Sequence, residues 1–369
     1  MEVRKVDERS VLIGLHEIEG IGRDTIERLH GVKGGLTTLL DQSKLSKVLN
    51  RVNIIGKKAE AISTFLTKER IESKLRFYEQ CEIKLITRWD QDYPYLLAQI
   101  SDPPWVLYAK GNVNLLHRAC IAVVGMRDPS PYGREAAEWI GSELALAGAV
   151  VVSGLARGID SYAHVGALRH HGSTIAVLGN GLNVHYPPEH HELQQRIAVE
   201  GLVISEYPWN LKPAKGTFLM RNRIIAGITL GTVVVEAAEG SGSLHTADCA
   251  LAFNRNVFGV PGPITSWKSA GVNARIREGA ALVTDPRDIL IECNIETLKS
   301  KPSRDVNTSD LNESEQLLLH MMGAQEVTID ELIARTHQSL GQIHTVLLSL
   351  LVKKRIRSLS GSTYIARMN

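Results

Sequence analysis

Between residues 119 and 283 the chain alternates short apolar, β-branched runs with longer stretches of helical periodicity, and a glycine- or serine-bearing turn follows most of the runs. The apolar runs fall at 121–124, 150–152, 174–178, 202–205, 232–235, 257–260 and 281–283. Helical stretches fall between several of them, at 132–147, 160–170, 190–198 and 244–253. Near-continuous apolar strands separated by helices predict an α/β fold with a doubly wound, mostly parallel sheet covered on both faces.

The flanks follow different patterns. Residues 1–80 predict a domain of short helices, in which the segment from Leu15 to Leu29 places an apolar-Gly-apolar-Gly turn at Gly20 and Gly22. That is the pattern of a helix-hairpin-helix, whose glycines let backbone N–H groups approach a phosphate; an ordinary helical turn reads the same way. Residues 81–117, rich in aromatics and prolines, predict an extended lead-in packed along the edge of a domain spanning 81–294. Residues 295–311 are polar and predict a linker. Residues 312–369 predict a winged helix: capping boxes pair Asn312 with Glu315, Thr328 with Glu331 and Ser339 with Gln342. Its third helix carries Ile343, Val346, Leu347, Leu350 and Leu351 on one face, and the alternating segment 358–366 follows as a wing. The basic run from Lys353 to Arg357 suits nucleic acid and suits a solvated helix terminus equally.

Composition narrows the function. A length of 369 residues exceeds one typical domain and suggests two or three, and 44% hydrophobic with 22% charged residues is ordinary for a globular chain, so disorder is not the default. The formal charge is +2, so a phosphate-binding surface requires that folding gather cations into one patch. No apolar run approaches membrane-spanning length and no secretory stretch follows Met1, which predicts a cytoplasmic protein without membrane contact. The cysteines Cys81, Cys120, Cys249 and Cys293 are far apart and form no CxxC pair, which predicts reduced packing residues and neither a disulfide framework nor a zinc site.

Ligands of open parallel sheets collect beyond the carboxyl ends of the strands. The loops expected there carry Arg127 and Ser130, then Gly154, Ala156 and Arg157, then Gly179 and Gly181, then Ser241, Gly242 and Ser243. Glycine and serine at strand-to-helix turns present amides and hydroxyls to an anion. The segment 212–227 adds Lys212, Lys215, Phe218, Arg221, Asn222 and Arg223. Arginine forks chelate phosphates, lysine supplies a point charge, and phenylalanine stacks on an unpaired base of any identity. The alternative is that Arg221 and Arg223 form internal ion pairs with Glu206 or Glu236 while Phe218 belongs to the core.

These segments resemble the DNA processing protein A (DprA/Smf) family. The resemblance runs through Val124-Gly-x-Arg127-x-x-Ser130-x-Tyr132-Gly133, Ser153-Gly-x-Ala-x-Gly-Ile-Asp160, Ala176-Val-Leu-Gly-x-Gly181 and Tyr186-Pro187. It continues through Ser205-Glu-Tyr-Pro208, Arg221-Asn-Arg-Ile-Ile-Ala-Gly227, Ser241-Gly-Ser-Leu-x-Thr-Ala247, Val260-Pro-Gly262 and Gly271-x-Asn273. It implies an extended Rossmann-like core between a sterile-alpha-motif-like helical domain and a winged helix. It further implies single-stranded DNA binding, homodimerisation through that core, and delivery of DNA to RecA recombinase in natural transformation. By motif, Arg127 and Lys215 would hold phosphates and Phe218 would meet a base. Gly154, Ala156, Arg221, Asn222 and Ser241 to Ser243 would complete the pocket, with Ser130, Arg157 and Arg223 counted among the DNA-binding side chains. The chain departs from the family pattern at Met126, Asn210, Leu219 and Arg275; Leu219 in place of proline alters how Phe218 is presented.

Two enzyme classes compete. Nucleotide hydrolases of the lysine-decarboxylase-like Rossmann group share the sheet, but their PGGxGTxxE signature is absent, and Glu239-Gly-Ser-Gly-Ser-Leu follows the corresponding strand. A dinucleotide-dependent oxidoreductase needs G-x-G-x-x-G after its first strand, where this chain has Gly125-Met-Arg127. His170, His171, His185, His190 and His191 do not point to one metal centre. Asp160 reads as a helix cap and Glu236 as a strand-end carboxylate with an arginine partner, while Ser153 and Ser241 lack a neighbouring histidine. The expectation is a binding protein with no catalytic residues, no metal and no cofactor.

Overall fold

The computed structural model describes residues 6–170, 173–295, 311–322, 327–336, 338–353, 355–358 and 363–366. The strands are β1 (Lys84–Thr87), β2 (Val106–Gly111), β3 (Cys120–Val124), β4 (Val150–Ser153), β5 (Thr174–Leu178), β6 (Leu202–Ser205), β7 (Gly231–Val234), β8 (Asn256–Gly259) and β9 (Ala281–Leu282). They form one sheet in the order β1-β2-β6-β5-β4-β3-β7-β8-β9. Pairing is parallel from β6 to β9 and antiparallel where β2 joins β6 and β1 joins β2. The apolar runs read from the sequence are strands of this sheet. The extended lead-in is more than an edge packing segment, because β1 and β2 extend the sheet and bury Trp105 and Tyr108.

Every position of β3, β4 and β5 is buried, as a sheet covered on both faces demands. One face packs α7 (Pro131–Leu146), α8 (Ile159–Ala167) and α13 (Pro286–Glu292) against Ile121, Val123, Val151 and Val233. The other packs α6 (Tyr95–Ala98), α10 (Lys215–Gly227), α11 (Gly242–Ala252) and α12 (Trp267–Arg277) against Ala122, Val124, Val152 and Val177. The first of these long helices starts where it does because Pro131 opens it and the Ser130 hydroxyl accepts a hydrogen bond from the Gly133 N–H at 3.1 Å.

The N-terminal helices α1 (Glu8–His16), α2 (Arg23–His30), α3 (Gln42–Arg51), α4 (Lys57–Phe65) and α5 (Lys68–Gln80) do not form a separate core. Their apolar side chains run into one cluster with Tyr108 of β2, Ala176 and Leu178 of β5, and Ile197 of α9 (His191–Glu200). Glu17 fixes the seam, accepting from the hydroxyls of Tyr78 at 2.7 Å and Tyr108 at 2.6 Å and pairing with Lys74 at 2.8 Å.

At the far end α14 (Glu313–Met322), α15 (Ile329–Thr336) and α16 (Leu340–Val352) pack with a small sheet of order β10-β12-β11, whose strands are β10 (Val327–Thr328), β11 (Ile356–Ser358) and β12 (Thr363–Ala366). This is the expected winged helix, and all three capping boxes form. Most of the predicted linker, 296–310, and residues 359–362 of the predicted wing lie outside the described residues, as does His171.

Candidate nucleic-acid interface

Where the strand order of a wound sheet reverses, the loops leaving two neighbouring strands diverge to opposite faces and leave a crevice. Here the reversal falls between β3 and β7. Next to their carboxyl ends lies an open cavity of 460 Å³, walled by the turn after β3 with Arg127, by Ala156 and Tyr186, by α10 with Lys215 and Phe218, and by Ser241, Gly242 and Ser243 at the start of α11. Its lining carries Arg127, Lys215 and Arg221 against one carboxylate, Asp160, so folding has concentrated positive charge that composition did not reveal.

The α10 helix sorts the cationic segment. Phe218, Arg221, Asn222 and Ile225 are spaced i, i+3, i+4 and i+7, which places them on one face, and all four line the cavity. Arg223, two residues from Arg221, points roughly 200° away around the helix. It is buried against Glu206 at 2.6 Å and Asp102 at 3.1 Å, and lines a different cavity. Arg223 is therefore corrected from a DNA contact to a structural ion pair, with Glu206 as one of the partners considered from the sequence. Burial pushes the Glu206 carboxyl up from its ordinary value, and the Arg223 charge opposes that shift.

Arg221 is also buried, but it borders the cavity. Its Nη1 donates to the Val177 carbonyl at 2.6 Å, and its charge faces Asp160 instead of Glu206 or Glu236. Burial lowers the Arg221 value and raises that of Asp160, while their mutual attraction works against both shifts. Asp160 does not cap its own helix. It reaches back to accept the N–H groups of Gly154 at 3.1 Å and Ala156 at 3.4 Å, clamping the loop after β4, in which Leu155 sits at φ +55°. That left-handed backbone at a buried leucine needs such a clamp. A Cβ on Gly154 would overlap the Arg221 guanidinium, so only glycine admits the arginine here.

Phe218 is half-buried and not a core residue. Its ring lies 5.1 Å from that of Tyr186 at an interplanar angle of 32°, and the Arg127 guanidinium carbon sits 6.0 Å from its centroid. Gly179 makes room underneath, since a Cβ there would come within 2.7 Å of the ring. Arg127 and Lys215 are exposed, and neither makes an ion pair among the described residues. Asn222 donates to the Gly242 carbonyl at 3.2 Å, tying α10 to the α11 turn, where the Ser241 and Ser243 hydroxyls lie 2.9 Å apart. Arg157 pairs with Glu189 at the rim of a smaller recess shared with Arg127 and Phe218.

Ser130 is a second correction. It does not line the cavity; its N–H and hydroxyl donate to Glu236 at 2.8 and 2.6 Å, which also gives Glu236 a serine partner where an arginine was expected. Tyr186 carried no assigned role, and the signal available was an aromatic-proline pair following the Gly179–Gly181 turn. Among the described residues no cluster of three His, Cys, Asp or Glu side chains could hold a metal ion.

A larger cavity, of 1250 Å³, lies between the Gly20–Gly22 turn and the segment after β6. Three of its cations are already committed: Arg23 to Asp102, Lys74 to Glu17 and Arg223 to Glu206. Five cations there meet five carboxylates, which gives a polyanion little reason to enter.

Comparison with known proteins follows the same segments. The profile of DNA recombination-mediator protein A matches residues 84–294, and the DprA winged helix domain matches 302–362. Protein Smf of Escherichia coli is 38% identical over 309 residues, covering 82% of each chain. The DNA processing protein DprA of Streptococcus pneumoniae is 46% identical over 205 residues, covering 55% of this chain and 72% of that protein. The crystal structure of the Streptococcus pneumoniae protein superposes with a TM-score of 0.58 at 36% identity, covering 73% of this chain and 96% of that one. The Helicobacter pylori DNA processing protein A gives 0.53 at 30% identity, covering 58% of this chain and 97% of that one.

Proposed function

The chain belongs to the DNA recombination-mediator protein A (DprA/Smf) family of DNA processing proteins, and from that premise we propose that it grips single-stranded DNA in the cavity beside β3 and β7. The observation that carries the proposal is the convergence of Arg127, Lys215 and Phe218, from two separate segments, on one open cavity ringed by the α11 turn. Arg127 and Lys215 neutralise consecutive phosphates, and Phe218, backed by Tyr186, stacks on a base. In a duplex the bases are paired and stacked inward, so the ring has no base face to meet. A single-stranded DNA binding mode has been described for the Helicobacter pylori relative, which supports the same reading here.

The protein acts as a mediator and not as an enzyme. Asp160, the carboxylate lining the cavity, is held by two amides and by the charge of Arg221, and Glu236 is held by Ser130. Neither is free to activate water, so hydrolysis of nucleotides is disfavoured. The bound strand is protected and passed to RecA recombinase during uptake of DNA, in the cytoplasm, by a homodimer formed through the α/β core. No described helix is long and apolar enough to cross a membrane.

A fluorescence-anisotropy titration with one sequence, single-stranded and annealed to its complement, tests the proposal. The single strand binds more tightly, Lys215→Ala weakens it, and AMP incubated with the protein releases no free base. Equal affinity for the two forms overturns it.

A further inference from the structure

Beside the first cavity, across one loop, lies a second of 380 Å³ between α9 and the end of β2. Lys110, Asn183, His185, Gln195 and Trp209 line it, above Val203. The loop from Gly179 to Pro187 joins the two spaces. It starts beneath the Phe218 ring at Gly179, hydrogen-bonds across to the 209–211 segment through the N–H groups of Gly181 at 2.9 Å and Asn183 at 3.1 Å, and returns to the Phe218 ring at Tyr186. His185 faces the second cavity and its chain neighbour Tyr186 faces the first.

Part of the lining is uncommitted. Lys110 makes no ion pair among the described residues. The Nδ1 atom of His185 is buried without a hydrogen-bond partner, and its ring stands edge-on to His191 at 4.1 Å. Trp209 is half-buried, and Phe77 meets it edge-on at 5.7 Å from the far cavity's side. An indole wall, primary amides offering both donors and acceptors, and one cation at the rim suit a planar base with a phosphate attached. The Asn183 amide already donates to Asn210 Oδ1 at 2.9 Å and the Gln195 amide lies 3.0 Å from His191 Nε2, so each meets a ligand by exchanging that partner or through its carbonyl, and either group can be presented to any base.

We propose that this cavity is a second base-binding site, taking a further nucleotide of the same unpaired strand after it passes Phe218 and crosses the 179–187 loop. The proposal rests on the reading of the first cavity as the primary strand site.

Two labelled oligonucleotides, of about six and about twelve nucleotides, separate the sites by length. The variant carrying Lys110→Ala and Gln195→Ala, both outside the core, loses about tenfold in affinity for the longer strand and holds the shorter one at wild-type strength. Lys215→Ala weakens both lengths. Wild-type affinity of the double variant for the longer strand overturns the second site and leaves the first standing. Failure of the wild-type protein to bind either strand overturns both. Independently, photo-crosslinking with iodouracil stepped along the longer strand yields an adduct in the peptide containing Trp209; a full scan without that adduct overturns the proposal.

Discussion

His164 makes the α/β core acid-sensitive by a calculable amount. It lies fully buried on α8, where its Nδ1 meets the Thr174 hydroxyl at 2.7 Å. That hydroxyl already donates to the Val151 carbonyl at 2.9 Å, so Nδ1 carries the proton and Nε2 is left bare, buried and without a partner. Protonation would put a charge into this dry site, near His190 and Arg221. Burial first, and those neighbours second, push the imidazole down from 6.5 to about 3. The folded value lies below the unfolded one, so the stability His164 permits is complete above about pH 6.5 and falls steadily as the unfolded chain takes up its proton, down to about pH 3. Between pH 7 and pH 5 the loss is about 2 kcal/mol. Urea denaturation of wild-type protein and His164→Asn at both pH values measures it. The asparagine keeps a donor toward Thr174 and costs stability at every pH, but wild-type protein should lose about 2 kcal/mol more than the variant on acidification, because all other titrating groups are shared. Parallel losses in the two proteins would refute the assignment of a neutral, buried His164.

Three further substitutions report on separate parts of the account. Phe218→Ala weakens single-strand binding by about 1–3 kcal/mol with an unchanged circular dichroism spectrum, as loss of a stacking face requires. Gly154→Ala forces the Arg221 guanidinium off the Val177 carbonyl, lowering stability in denaturant titrations by about 1–3 kcal/mol and reducing strand affinity with it. Arg223→Ala leaves Glu206 and Asp102 without their shared cation, lowering stability by about 3–5 kcal/mol in the same titration, while the folded fraction binds DNA as the wild type does.

Much of this was legible in the chain because strands buried on both faces are apolar throughout, and the turns after them announce themselves with Gly and Ser. The pairing of β1 and β2 was not legible: a short aromatic-rich run reads the same whether it pairs with a sheet edge or only packs beside one. Nor was the fate of the two arginines of the 212–227 segment, which read as one cationic cluster. The helix period divides them, sending Arg221 toward the cavity and Arg223 to Glu206 and Asp102. Asp160 looked like a helix cap because acidic residues favour helix starts; its reach back to Gly154 and Ala156 depends on the left-handed turn at Leu155, which no residue preference signals. Ser130 and Glu236 sit 106 residues apart, and their contact follows from the adjacency of β3 and β7, a property of strand order.

The central claim is that Arg127 and Lys215 hold phosphates of one unpaired strand. The dependence of single-strand affinity on salt concentration tests it most directly, because each neutralised phosphate releases counterions in proportion. A plot of log affinity against log salt should become shallower by about 0.7 in Arg127→Ala and in Lys215→Ala, and by about twice that in the double variant. Wild-type slopes in all three variants would contradict it.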